Sequence, residues 1–246
     1  MNLLVCISKT PETTAKISFK DGNTQFDSEG VQHILNPYDE WYALVRAIEL
    51  KEAFGGSVTV VNVGTSENDA VIRKAIAIGA DKAIRVNADP SSAAFVAKQI
   101  AELAQKESYD IIFTGKETID YNGSVVGSMI AAHLDWPYIS FANDLDLEGS
   151  TATLKREIEG GIETSQVDTP FVVSAAKGMA EQRIPNMRGI MMAKRKPLEA
   201  VEPVAFDDKT KFVKYELPDE KGSVKMIDPE NTDELVRLLH EEAKVI

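Results

Sequence analysis

Two spacings of apolar residues alternate through the first half of the chain. Short, β-branched runs stand at Leu3-Leu-Val-Cys-Ile7, Ser57-Val-Thr-Val-Val-Asn-Val63, Ala83-Ile-Arg-Val86 and Asp110-Ile-Ile-Phe-Thr114. Runs of this length and composition predict strands covered on both faces. Between them, apolar residues recur at helical spacing. Trp41, Leu44, Val45 and Ile48 make one stripe, residues 67–78 a second helix, and Val96, Ile100 and Leu103 mark a third over 91–106. Asn36-Pro37 predicts the start of the first helix, with Asn36 as N-cap, Pro37 at the first position, and Asp39 and Glu40 in the first turn. Ser128 to Leu134 reads as another helix. Strands alternating with helices predict an α/β fold, a doubly wound, mostly parallel Rossmann-like sheet with right-handed crossovers.

The rhythm changes after Trp136-Pro137. Thr151–Glu157 and Ile162–Val167 flank Glu159-Gly160-Gly161, predicting a β-hairpin over 151–167, and Pro170–Ala175 reads as one more buried strand. From Gly178 to about Lys225 periodicity is weak, and Pro185, Pro197, Pro203 and Pro218 interrupt the chain. So long an irregular stretch is unusual inside a compact domain. An α/β domain over 1–177 is therefore expected, followed over 178–246 by an extended arm. Asn231-Thr-Asp-Glu234 opens a last helix with Leu235, Leu239 and Ala243 on one face. Such an arm packs on a partner subunit or on its own domain, and composition does not separate the two.

The stretch from Gly115 to Gly127 carries the clearest chemistry. A loop rich in small residues between a strand end and a helix start presents backbone N–H groups and a positive dipole end to an anion. Open α/β sheets hold nucleotide phosphates at the carboxyl edge in this way. An ordinary turn with Asp120 or Asn122 as helix cap is the alternative. Charge narrows the partners: 27 basic against 39 acidic residues give a net charge of −12. Sequence-independent nucleic-acid binding and an anionic membrane surface are both disfavoured. Cys6 is the single cysteine, so no intrachain disulfide forms, and it reads as a small core hydrophobe. With no membrane-length apolar run and no charged leader before Leu3, a reducing, bacterial cytoplasmic location is expected.

Other chemistry is missing from the sequence. His33, His133 and His240 lie far apart without ligand spacing, so no metal is expected. There is no Gly-x-Ser-x-Gly elbow, no Walker loop and no Gly-x-Gly-x-x-Gly fingerprint, and no catalytic set presents itself. A carrier or binding protein is favoured over an enzyme.

Several segments, taken in order, resemble the beta subunit of electron-transfer flavoproteins. They are Asn36-Pro-Tyr-Asp-Glu40, Ala75-Ile-Ala-Ile-Gly-Ala-Asp81, Gly115-Lys116 with Ile119 to Gly127, Leu134-Asp-Trp-Pro137, Arg156-Glu-Ile-Glu-Gly-Gly161 and Asn186-Met-Arg-Gly-Ile-Met-Met-Ala-Lys-Arg-Lys196. The resemblance spans essentially the whole chain. It implies an adenine-nucleotide-binding sheet that holds a structural AMP. Contacts would come from Cys6, Asn36, Pro37, Tyr38, Asp39, Val60 and Val63. The loop would add Gly115, Lys116, Glu117, Thr118, Ile119, Asp120, Tyr121, Asn122, Gly123, Ser124, Val125 and Val126. Asp120, being anionic, is expected to cap the helix rather than touch the phosphate. Cys6, Val60 and Val63 are equally readable as plain core residues.

The resemblance further implies FAD held chiefly by a larger alpha subunit, with this chain covering one side of the flavin. Partners would be that alpha subunit, acyl-CoA or other dehydrogenases, and a quinone oxidoreductase that receives the electrons. Met187 stands where the family has a leucine that docks dehydrogenases, and Glu157 where a glutamate holds the flavin domain. Some flavin-bifurcating members bind a second FAD in place of AMP through Asp-Gly-Asp-Thr-Ala-Gln-Val-Gly. Here Asp120-Tyr-Asn-Gly-Ser-Val-Val-Gly127 departs from it at Tyr121 and Val125, which favours AMP. A stand-alone module resembling universal stress proteins would explain residues 1–145 but not the hairpin or arm. An ATP pyrophosphatase would need a glycine-rich loop where Ser8-Lys-Thr-Pro11 stands.

Overall fold

The computed structural model describes residues 1–219 and 222–246. In chain order it contains β1 (Asn2–Cys6), β2 (Lys9–Pro11), β3 (Phe19–Lys20), β4 (Gln25–Phe26), β5 (His33–Leu35), α1 (Asp39–Phe54), β6 (Ser57–Val63), α2 (Asp69–Ile78), β7 (Lys82–Val86), α3 (Ala93–Ala104) and β8 (Ile111–Gly115). There follow α4 (Val126–Leu134), β9 (Tyr138–Ala142), β10 (Asp144–Glu148), β11 (Thr151–Ile158), β12 (Gly161–Asp168), β13 (Phe171–Ala175), α5 (Met187–Ala193), β14 (Leu198–Val201) and α6 (Thr232–Glu241). The central sheet has seven strands in the order β14-β7-β6-β1-β8-β13-β9, and every pairing in it is parallel. The expected doubly wound α/β sheet is what forms.

Period-two side-chain alternation divides the core into two layers. Leu3, Val5, Val58, Val60, Ile111 and Phe113 face α1 and α2, whereas Leu4, Cys6, Val61, Val63 and Ile112 face α3 and α4. Leu3, Leu4 and Val5 are all fully buried, and each such side chain stabilises the fold by roughly 1.5–3 kcal/mol. The expected stripe on α1 buries Leu44, Val45 and Ile48, while Trp41 is half-buried and donates Nε1–H to the Arg183 carbonyl at 3.1 Å. From β1 the chain winds outward through β6 and β7, then returns across to β8. The strand order thus reverses between β1 and β8, where an open sheet leaves a crevice at its carboxyl edge.

Three features differ from expectation. Asn36 does not cap α1: the cap position is Tyr38, with φ 69° and no side-chain hydrogen bond, and the helix begins at Asp39. The region after 177 does not leave the sheet at once. Residues 198–201 form β14 beside β7, and α5 packs on α2. Arg73 donates from Nη1 to the carbonyls of Ala193 (2.7 Å) and Lys196 (2.6 Å), satisfying the C-terminal carbonyls that α5 leaves open. A Cβ on Gly189 would collide with the Ala77 carbonyl, so glycine is what lets α5 lie this close. On α6 the buried residue is Leu238, and Leu235 and Val236 are exposed. The hairpin matches its expected place, with β11 and β12 joined at Glu159-Gly160 and Gly160 at φ 83°. β10 adds a third antiparallel strand. Among the described residues no helix is long and apolar enough to cross a membrane.

Candidate functional site

A cavity of about 480 Å³ opens at the carboxyl ends of β1, β6 and β8, at the point of strand reversal. Its volume lies within the range of small-molecule sites. In a parallel sheet all crossover helices start at this edge. Glu40 of α1, Ala93 of α3 and Val126 of α4 therefore all line it, each from a first helical turn. Three positive dipole ends converge on one space beside loop 115–126, which is an electrostatic setting for an anion.

The loop is held by a residue distant in sequence. Asn36, fully buried, donates Nδ2–H to the Glu117 carbonyl at 3.0 Å and accepts the Ile119 N–H on Oδ1 at 3.1 Å. Lys116 N–H donates to the Ala175 carbonyl (2.8 Å), and Ser124 donates from Oγ to Glu117 (3.2 Å). Asn122 and Ser124 adopt positive φ (49° and 53°), so the loop turns tightly between its anchors. Gly115 allows α1 to abut β8: a Cβ there would lie 2.8 Å from Glu40 N and 2.7 Å from its Cγ. Gly127 has the same role for α4, where a Cβ would meet Thr114 Oγ1 at 2.7 Å.

Beneath the loop, Glu40 is buried against the end of β1. Its Oε2 accepts from Ser8 N at 2.6 Å, and Oε1 lies 2.7 Å from Ser8 Oγ. Burial, offset in part by these bonds, pushes its carboxyl up to about 8. Burial likewise pushes the Cys6 thiol up, with Glu40 adding to the effect, so it is an inert wall residue. Across the cavity Asn62 donates to the Ile7 carbonyl (2.8 Å) and accepts from Asn68 Nδ2 (2.9 Å). The two lysines that line the space are both paired, Lys9 with Glu67 at 3.3 Å and Lys116 with Glu117 at 3.0 Å. The Lys116 partnership holds the Glu117 carboxyl below the usual range. Anion binding here would thus rest on backbone N–H groups more than on free cations.

Of the residues expected at a nucleotide site, Cys6, Val63, Gly115, Lys116, Glu117, Thr118, Asp120, Tyr121, Gly123, Ser124, Val125 and Val126 line this cavity. Tyr38, Asp39, Ile119 and Asn122 border a separate hollow of about 230 Å³. Pro37 is half-buried, and Val60 faces α1 on the other side of the sheet. Asp120 does not cap α4, whose cap position is Val125 without a side-chain bond. Its carboxylate accepts the Tyr121 N–H at 3.0 Å. Ser8, Asn62, Asn68, Ser92, Val96 and Phe212 also line the cavity, and none of them was expected at a nucleotide site. An amide inside the apolar run Val-Val-Asn-Val was the one local signal among them. Met187 stands 74% exposed at the start of α5, and Glu157 is exposed near the hairpin tip.

Residues 23–205 match the electron transfer flavoprotein domain model. Full-length similarity is consistent with this. An electron transfer flavoprotein subunit beta of Bacillus subtilis is 36% identical over 260 residues, covering 100% of both chains. The Homo sapiens subunit of the same name is 34% identical, covering 100% of this chain and 99% of that one. The chain belongs to the electron transfer flavoprotein beta-subunit family. A further beta subunit, from Syntrophomonas wolfei, is 35% identical over 91% of this chain and 88% of its own length. Membership in the beta-subunit family assigns the chain to electron transfer alongside a flavin. The cavity is bordered by loop 115–126, one of the segments that carry the resemblance.

Proposed function

We propose that this chain is the small, non-catalytic subunit of a heterodimeric electron-transfer flavoprotein. It holds a structural AMP in the β1–β8 cavity and covers one side of an FAD carried mainly by a larger alpha subunit. The observation carrying this reading is the cavity at the strand-reversal point, bordered by loop 115–126, in a chain of the beta-subunit family. FAD would supply the redox chemistry. This chain's residues would bind, position and shield. Monophosphate is favoured over the diphosphate of a second FAD because both lining lysines are already paired and Glu117 and Asp120 stand on the same wall. Tyr121 also fills space that bifurcating members leave to glycine. Release of bound nucleotide from denatured protein, purified with its partner, should yield one AMP and one FAD per heterodimer. Two FAD and no AMP would overturn the AMP assignment.

Dehydrogenases, acyl-CoA dehydrogenases among them, would dock at Met187, and the electrons would pass on towards a quinone oxidoreductase. Support comes from the setting of α5, which is pinned to α2 while Ile184, Met187 and Met191 project with 87%, 74% and 65% exposure. Methionine in such a patch suits several partners. Met187→Ala should slow electron transfer from the dehydrogenase about tenfold, on the scale of one buried apolar anchor, with flavin content unchanged. Unaltered rates in stopped-flow reduction would remove the docking role. Glu157 would hold the alpha subunit's flavin domain through charge, and the exposed Leu235 and Val236 of α6 would rest on the alpha subunit. A bacterial cytoplasm is the proposed setting, where a lone thiol such as Cys6 stays reduced.

A further inference from the structure

The segment that follows β14 runs back over the cavity. Gln99 of α3 grips the Val204 backbone twice, Nε2 donating to its carbonyl at 2.9 Å and Oε1 accepting its N–H at 2.7 Å. Phe206 meets Phe95 edge-on at 6.1 Å, and Ser91 donates to Asp208 at 2.8 Å. Further along, the Tyr215 N–H donates to the Asn23 carbonyl at 2.8 Å and its ring stacks on Phe19 at 5.1 Å. The chain is therefore tethered on α3 and again on the β3–β4 hairpin. Phe212 lies between the tethers and lines the cavity.

Phe212 is one of two aromatic rings on that wall. Tyr121, from loop 115–126, lies 5.2 Å from Phe212 with the ring planes tilted by 36°, and its hydroxyl is 3.3 Å from that of Tyr215. Tyr121 and Phe212 are nevertheless 55% and 53% exposed. Phe212 also stacks on Tyr215 at 5.5 Å, and the aromatic surface that stays exposed, on a cavity with Ala93, Val96 and Val126 in its walls, gains most from covering a flat π-surface. A phosphate offers none; a nucleobase does, and aromatic faces stack on bases without needing hydrogen-bond readout.

We propose that Phe212, with Tyr121, contacts the base of the bound nucleotide, so that residues 204–215 are part of the nucleotide site rather than only a linker to the partner subunit. The proposal rests on the nucleotide reading of the cavity. It makes nucleotide release depend on the strap.

The test uses the full chain purified with its partner subunit and loaded with 1,N6-etheno-AMP, whose fluorescence reports stacking. Release is followed after adding excess AMP. Phe212→Ala should release the analogue about tenfold faster, the scale of a lost base–aromatic stack. Its bound fluorescence should be less quenched, and Phe212→Tyr should restore both. Gln99→Leu, which leaves both rings in place but removes a tether, should also speed release. Unchanged release in Phe212→Ala and Gln99→Leu, from a wild-type protein that does hold the analogue, would overturn the strap. A wild-type protein that holds no adenine nucleotide would overturn the nucleotide reading itself.

Discussion

Replacing Asn36 with alanine should cost about 2–4 kcal/mol of stability and most of the affinity for nucleotide. Two hydrogen bonds, to the Glu117 carbonyl and from the Ile119 N–H, would be lost. Each lost bond leaves a half-buried partner unpaired, at about 1–2 kcal/mol apiece. Asn36 is fully buried, so water does not readily replace the amide. The functional effect follows from geometry: with this tether gone, loop 115–126 keeps its Ala175 anchor but loses the bracing of its middle. Asn36→Asp separates the two bonds, because it preserves the acceptor for Ile119 and sets a carboxylate oxygen against the Glu117 carbonyl. Urea denaturation and nucleotide content of the purified protein are the readouts. A variant as stable as the wild type, with full nucleotide content, would show that the loop holds its shape without Asn36.

That residue also marks where sequence reasoning stops. The strands of the sheet centre were legible because burial on both faces imposes a continuous β-branched run. Ser57–Val63 is β6 residue for residue, and β1 and β8 fall within one residue of their expected bounds. Edge strands lack that signature. β9 and β14 are half-covered, mix polar with apolar residues, and were not expected as strands. Asn36-Pro37 satisfies every local rule for a helix start, yet the positive φ at Tyr38 delays α1 to Asp39 and frees the amide for a partner 81 residues away. Glu40 fits the first-turn acid rule just as well, but its partner is Ser8, in the connection after β1. The loop was found because small residues between strand and helix constrain the backbone locally. Phe212 was not, since an aromatic residue in a weakly periodic arm carries no sign of what it will face.

Glu40 should make the protein lose stability as pH rises. Its carboxyl is raised from an ordinary 4.5 to about 8 by burial, so between these values the folded chain holds a proton that the unfolded chain has released. Stability contributed by the neutral form is complete below about pH 4.5, declines across the window by about 1.4 kcal/mol per pH unit, and levels off above about pH 8. The neutral acid also fits its partner. It would donate from Oε1 to Ser8 Oγ while Oε2 keeps the Ser8 N–H, and it would spare a cavity anion a buried negative neighbour. Glutamine reproduces this arrangement, with its amide N–H in place of the acid proton. Glu40→Gln, stripped of nucleotide, should match the wild type near pH 4.5 and exceed it by several kcal/mol at pH 8.5. Urea midpoints for both proteins across that range provide the check. Parallel curves would mean that Glu40 is ionised in the fold throughout, its charge held by Ser8 and the start of α1.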